Sequence, residues 1–226
     1  MDLEEGDTTD SMYGIAIDIG TTTVVTALID MLTGKELADS SMINAQKHFG
    51  LGCTWTRITY EMEHPKEGVQ ALKEAIVASI NEMIADVCDQ TGVKKEQIYE
   101  VSVGANCTMM HMLLGVDALS IGKSPYAPMF VKAKDIEAEE IGIHASRGAR
   151  LYCLPSVSSY IGADIVAGAY VCELHKAMKM YCYRYRNEWR DCIFRSWKTA
   201  FLFLCRRPGT GRYEHQLRYA CGRRSY

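Results

Sequence analysis

The stretch AIDIGTTTVVTALID, residues 16–30, restricts the possible folds more than any other part of the chain. Its first half completes an apolar run, YGIAID at 13–18, and its second half, TVVTALID at 23–30, is rich in β-branched residues. Both halves read as strands. So few residues separate them that they form a hairpin, with Asp18, Gly20 and three threonines at its tip. That tip has the chemistry of an anion site. A phosphate needs backbone N–H donors and a close approach of the main chain, and Gly20 removes the Cβ that would block it. Thr21, Thr22 and Thr23 offer amides and hydroxyls to phosphate oxygens. Asp18, at the end of a buried strand, is placed to hold a hydrated Mg²⁺ through water, because Mg²⁺ prefers oxygen ligands and keeps several of its waters. The competing reading is a hairpin whose tip is polar only because it is exposed.

The chain beyond this hairpin alternates strands and helices. A turn at Thr33-Gly34 leads to a third strand around 36–43, which completes a β-meander. Residues 66–91 form the clearest helix, with Val69, Leu72, Ile76, Ile80 and Ile84 on one apolar face and Gly92 as its C-cap. A strand at 98–104, a short helix at 107–115, a strand within ARLYCLPSV and a helix at 161–176 follow. This order predicts an α/β fold with a mixed sheet. Asn106 and Thr108 stand between a strand and a helix, where N-capping residues are expected. His111, flanked by methionines on an apolar helix, reads as a packing residue, and Cys53, Cys88, Cys107 and Cys153 read as small buried hydrophobes.

With 226 residues, 48% hydrophobic and 23% charged, the chain can form one large domain or two small ones. No apolar run reaches the roughly 18 to 20 residues of a membrane span. The acidic MDLEEGDTTDS opening does not read as a signal peptide. Nine cysteines without a CxxC pair fit reduced thiols in a cytoplasm. The net charge of −3 hides a break near residue 180. Residues 181–226 hold eleven Lys and Arg against three acids and 11 of the 21 aromatics, whereas residues 1–180 carry a net charge of −11.

AIDIGTTTVV resembles the first phosphate loop of the actin, sugar kinase and heat-shock chaperone ATPase superfamily, which implies a ribonuclease H-like fold with ATP held between two lobes. VSVGANCTMMHMLLGVD, GKSPYAPMF and LYCLPSVSSYIGADIVAGA resemble the middle region of the ATP-dependent reductive activators of corrinoid proteins, and the resemblance covers roughly residues 13–175. It implies Mg-ATP as cofactor, with Asp18 positioning Mg²⁺ and its water and Gly20 to Thr23 cradling the β- and γ-phosphates. It also gives Asn106 and Thr108 a second role, in a loop facing the cleft between lobes. In such activators ATP hydrolysis drives electrons to a corrinoid cobalt that has slipped to Co(II), restoring Co(I). The implied partners are a corrinoid protein or corrinoid methyltransferase and an electron donor such as a ferredoxin; a homodimer stays open.

The sequence departs from that pattern in three places. The [2Fe-2S] domain that normally precedes the ATPase lobes is not found in this chain. LGCTWTRI at 51–58 lacks an acidic residue expected there. The second phosphate loop, expected soon after 176, is replaced by YCYRYRNEWRDCIF. Codons for 183–194 can be chosen so that a one-base shift reads IGTGMNGEIVF, close to the missing loop, and RPGTGRYEHQLRYACG can be encoded to read GPALEGMNISCGMRA in the same frame. The tail is therefore expected to be out-of-frame translation. The expected organisation is a disordered acidic N-terminus (1–12), a first ribonuclease H-like meander with the phosphate loop (13–62), a middle α/β region (63–178), and an irregular basic, aromatic tail (179–226). The chain is read as a truncated activator that is inactive alone. The alternatives are a small-molecule kinase of the same superfamily and a non-enzymatic binding protein using the tail, although nucleic acid is a disfavoured partner.

Overall fold

The computed structural model describes residues 10–50, 53–65 and 67–171, together with the backbone of three strands within 181–204. The N-terminal segment expected to be disordered lies, up to residue 9, outside the described residues, as does much of the tail. In chain order the elements are β1 (Tyr13–Ile19), β2 (Thr23–Asp30), β3 (Lys35–Ile43), a 3₁₀ turn (Ala45–Phe49), α1 (Thr54–Glu63) and α2 (Gly68–Thr91). After these come a second 3₁₀ turn (Lys95–Gln97), β4 (Ile98–Ala105), α3 (Cys107–Leu113), α4 (Leu119–Gly122), β5 (Lys134–Glu137), α5 (Ala138–Ile141), β6 (Arg150–Cys153) and α6 (Ala163–Val171).

Six strands form one sheet in the order β3-β2-β1-β4-β6-β5. The meander β1–β2–β3 is antiparallel, β4 and β6 run parallel to β1, and β5 closes the edge antiparallel to β6. An antiparallel meander continued by parallel strands beyond β1 is the ribonuclease H-like arrangement. The parallel crossing from β3 to β4 needs a long connection, and α1 and α2 supply it. Because β1 pairs directly with β4, one sheet continues across the boundary expected near residue 62.

Alternation along the strands fixes which face is buried. Ile15, Ile17 and Ile19 of β1, Val24 and Leu28 of β2, and Val101 and Val103 of β4 point into the core. Leu72, Ile76, Ile80 and Ile84 of α2 and Met109 and Met112 of α3 join them there. Each such side chain contributes about 1.5–3 kcal/mol by leaving water. Val69, expected on the same stripe, is only half-buried. The α2 helix ends at Gly92, whose positive φ of 74° lets its N–H reach the Cys88 carbonyl at 2.8 Å.

The tail expected to be irregular carries three backbone strands, β7 (Tyr181–Arg186), β8 (Glu188–Arg195) and β9 (Lys198–Leu204), in an antiparallel sheet of that order. Aromatic residues at every second position, Tyr181, Tyr183 and Tyr185, favour extended backbone there. Among the described residues, no helix is long and apolar enough to cross a membrane.

Candidate functional site

The β1–β2 hairpin closes through the Gly20 N–H, which donates to the Thr23 carbonyl at 3.0 Å. The Gly20 amide is thus used inside the turn. The next carbonyls are held from below. Asn44 Nδ2 donates to the Gly20 carbonyl at 2.8 Å, Arg57 Nη2 donates to the Thr21 carbonyl, and the Asn44 N–H donates to the Thr22 carbonyl at 2.9 Å. In a trans peptide the N–H points opposite to the C=O before it. Tying down the Gly20 and Thr21 carbonyls therefore turns the Thr21 and Thr22 amides away from Asn44 and Arg57. Neither amide makes a hydrogen bond among the described residues. Thr22 is exposed and Thr21 and Thr23 are half-buried, so the corner is open on one side.

Two side chains that the sequence reading passed over hold this corner. Asn44, which directly follows β3, is fully buried. Its Oδ1 accepts the Gln46 N–H at 3.0 Å and so caps the first 3₁₀ turn. Arg57 lies on the inward face of α1 and is 1% exposed. Its Nη1 donates to Gln46 Oε1 at 3.1 Å and lies 2.9 Å from Met109 Sδ. Gln46 Nε2 in turn donates to the Leu72 carbonyl at 2.9 Å. No carboxylate pairs with Arg57 among the described residues. Burial lowers the Arg57 pKa to about 10, so the guanidinium is still charged at neutral pH. The signal for α1 is weak because its inward positions, Arg57, Ile58 and Glu61, are mostly charged.

Asp18 sits in β1 opposite Val25 of β2 and Gly104 of β4, two residues before the turn, and is half-buried. Asn106 is the N-cap that its position before a helix predicts, and it also reaches the hairpin tip. Its Oδ1 accepts the Met109 N–H at 3.0 Å as the N-cap of α3, and its Nδ2 lies 3.3 Å from Thr21 Oγ1. Thr108 is buried in the first turn of α3 and is not joined to the loop by a hydrogen bond. His111 is a satisfied core histidine. Its Nδ1 donates to the Cys107 carbonyl at 2.8 Å, its Nε2 accepts the Met129 N–H at 3.1 Å, and its ring stacks on Phe130 at 4.3 Å. Cys53, Cys88, Cys107 and Cys153 are free thiols, and no cluster of His, Cys, Asp or Glu suited to a metal ion occurs among the described residues. These cysteines do not fit an iron–sulfur cluster. Asp18, one half-buried carboxylate two residues before the turn that presents these amides, fits a water-mediated Mg²⁺–phosphate group.

Gly162 locks the far side of the site. A Cβ added there would lie 2.5 Å from the Asn106 Cα and 2.9 Å from the Ala105 carbonyl oxygen, both backbone atoms that cannot swing aside. Gly162→Ala is expected to destabilise the protein by about 1–3 kcal/mol, through overpacking that pushes Asn106 off Thr21. Urea unfolding reads the loss; an unchanged midpoint would show that the contact relaxes without strain.

Relatives give this geometry a context. A profile of the RACo middle region matches residues 13–177. The corrinoid activation enzyme RamQ of Eubacterium limosum is 32% identical over 156 residues, which cover 69% of this chain and 26% of RamQ. A solved reductive activator for corrinoid, iron-sulfur protein is 30% identical and superposes with a TM-score of 0.83, covering 88% of this chain and 32% of that one. The chain therefore spans between a quarter and a third of the length of these relatives. On the match over residues 13–177, the chain belongs to the RACo middle region family.

Proposed function

We propose that this chain carries the first nucleotide-phosphate site of an ATP-dependent reductive activator, which returns Co(II) corrinoid proteins to Co(I). The observation that carries the reading is the pair of consecutive amides, Thr21 and Thr22, turned outward at the end of the strand that holds Asp18 and without a hydrogen bond among the described residues. In this reading the two N–H groups take phosphate oxygens, with Gly20 and Thr23 setting the hairpin that presents them. Asn106 orients the Thr21 hydroxyl, and Asp18 holds Mg²⁺ through water. Mg-ATP supplies the free energy that opens and closes the cleft. Thr108, buried in the first turn of α3, supports the loop only through the helix that Asn106 caps. The partner is a corrinoid protein or corrinoid methyltransferase, a ferredoxin-type donor supplies the electrons, and the setting is the cytoplasm. One phosphate loop is half of an ATP clamp, so the chain alone is expected to hydrolyse ATP weakly or not at all.

Titration with Mg²⁺ and inorganic tripolyphosphate, followed by amide NMR, tests this reading. The Thr21 and Thr22 amide protons are expected to move downfield in a saturable way, and Asp18→Asn is expected to weaken the Mg²⁺-dependent part. Resonances of these two residues that stay in place while others shift would sink it.

A further inference from the structure

We infer that Arg57 is a buried positioning cation for the phosphate loop, fixing the Thr21 carbonyl from below and supplying the positive charge that holds a polyphosphate above it. The inference rests on the phosphate-binding reading of the loop and extends it to a residue in a different element.

Three observations carry it. Arg57 is almost wholly buried, and burying a charge is costly unless something compensates for it. Its compensation here is incomplete. The guanidinium finds a carbonyl, an amide oxygen and a thioether sulfur, and its Nε has no hydrogen-bond partner among the described residues. Neutral acceptors leave the full positive charge in place, directly behind the peptide whose N–H belongs to Thr22. A buried arginine that served packing alone would do so more cheaply beside a carboxylate, and Glu61, one helical turn further along α1, instead accepts the Ala118 N–H at 3.0 Å. The two features act in one direction. The bond to Thr21 turns the Thr22 amide outward, and the uncompensated charge makes the space beyond it favourable for an anion. A guanidinium suits this post because its fork can serve Thr21 and Gln46 together while remaining charged.

The test measures tripolyphosphate binding with Mg²⁺ by calorimetry on the full chain, using Arg57→Gln, Arg57→Lys and Gln46→Glu. Arg57→Gln removes the charge. Gln46→Glu keeps the arginine but sets a carboxylate against it, so the charge is neutralised if the first variant fails to fold. Both are expected to weaken binding about tenfold or more, and Arg57→Lys, which keeps the charge but not the fork, to lose clearly less than either. The unaltered chain is also expected to lose affinity more steeply with added salt than Arg57→Gln. If the unaltered chain binds while Arg57→Gln and Gln46→Glu bind equally well, Arg57 is a packing residue and the inference falls alone. If Arg57→Lys loses as much as Arg57→Gln, the charge is not what acts and the inference falls. If the unaltered chain does not bind tripolyphosphate, the reading of the loop falls and takes the inference with it.

Discussion

Asn44→Ala is expected to lower the unfolding free energy by about 3 kcal/mol and to loosen the phosphate loop at the same time. Asn44 is fully buried and joins three segments through its side chain and backbone. Truncation removes the donor to the Gly20 carbonyl and the acceptor for the Gln46 N–H, bonds of 2.8 and 3.0 Å. Losing an N-cap alone costs about 1 kcal/mol, and an orphaned buried carbonyl adds about 1–3 kcal/mol. The backbone bond from Asn44 to Thr22 survives the substitution, so the hairpin keeps its register while the peptide after Gly20 is free to rotate. Hydrogen exchange at Thr21 and Thr22 and urea unfolding give the two readouts. A loss below about 1 kcal/mol with the loop amides unaltered would show that water replaces the side chain, and that Asn44 does not hold the corner.

How far the sequence disclosed this arrangement depends on whether the signal was local. The hairpin was legible because YGIAID and TVVTALID are mostly apolar or β-branched up to their closing aspartates and Gly20 breaks them. The α2 helix was legible because Leu72, Ile76, Ile80 and Ile84 repeat at helical spacing and Gly92 supplies the left-handed cap. The α1 helix left no such trace. Two of the residues it buries are Arg57 and Glu61, so its inward stripe looks polar to any periodicity argument. Strand β5, KDIE, is a short edge strand with three charged residues and was hidden for the same reason.

The site divided along the same line. Asp18, Gly20 and Thr21 to Thr23 lie within six residues of one another and could be read together. Asn106 was visible from its position before a helix, but its approach to Thr21 spans 85 residues. Asn44 and Arg57 act on the loop across 24 and 36 residues, through acceptors that are backbone carbonyls. A carbonyl has no side-chain identity, so no residue type at positions 20 or 21 announces which donor will reach it.

Glu61→Gln should remove most of the fall in stability that the protein undergoes as pH rises. Glu61 is 1% exposed; its Oε2 accepts the Ala118 N–H, while its Oε1 has no hydrogen-bond partner among the described residues. Burial raises its pKa from 4.5 to about 7, the Ala118 N–H partly opposes that rise, and the nearby Asp117 adds to it. Between pH 4.5 and about 7 the folded state therefore keeps a proton that the unfolded chain has released. The stabilisation is complete below 4.5 and is lost as pH climbs through 7, and a shift of that size corresponds to at most about 3 kcal/mol. His111 works in the opposite sense. Burial lowers its pKa below 6.5, so its contribution is present above 6.5 and is lost as pH falls beneath that value. The two slopes overlap, which makes the unaltered protein's own pH profile ambiguous, but His111 cancels in the difference between the variant and the parent. Glutamine mimics the protonated carboxyl and cannot ionise. From about pH 5 to about pH 8 the variant should gain up to about 3 kcal/mol relative to the parent, or roughly 6–12 °C in Tm for a chain of this size. Thermal unfolding of both proteins at the two pH values measures it. Parallel curves would mean that Glu61 ionises freely in the folded state, and that the inward face of α1 admits water beside Arg57 as well.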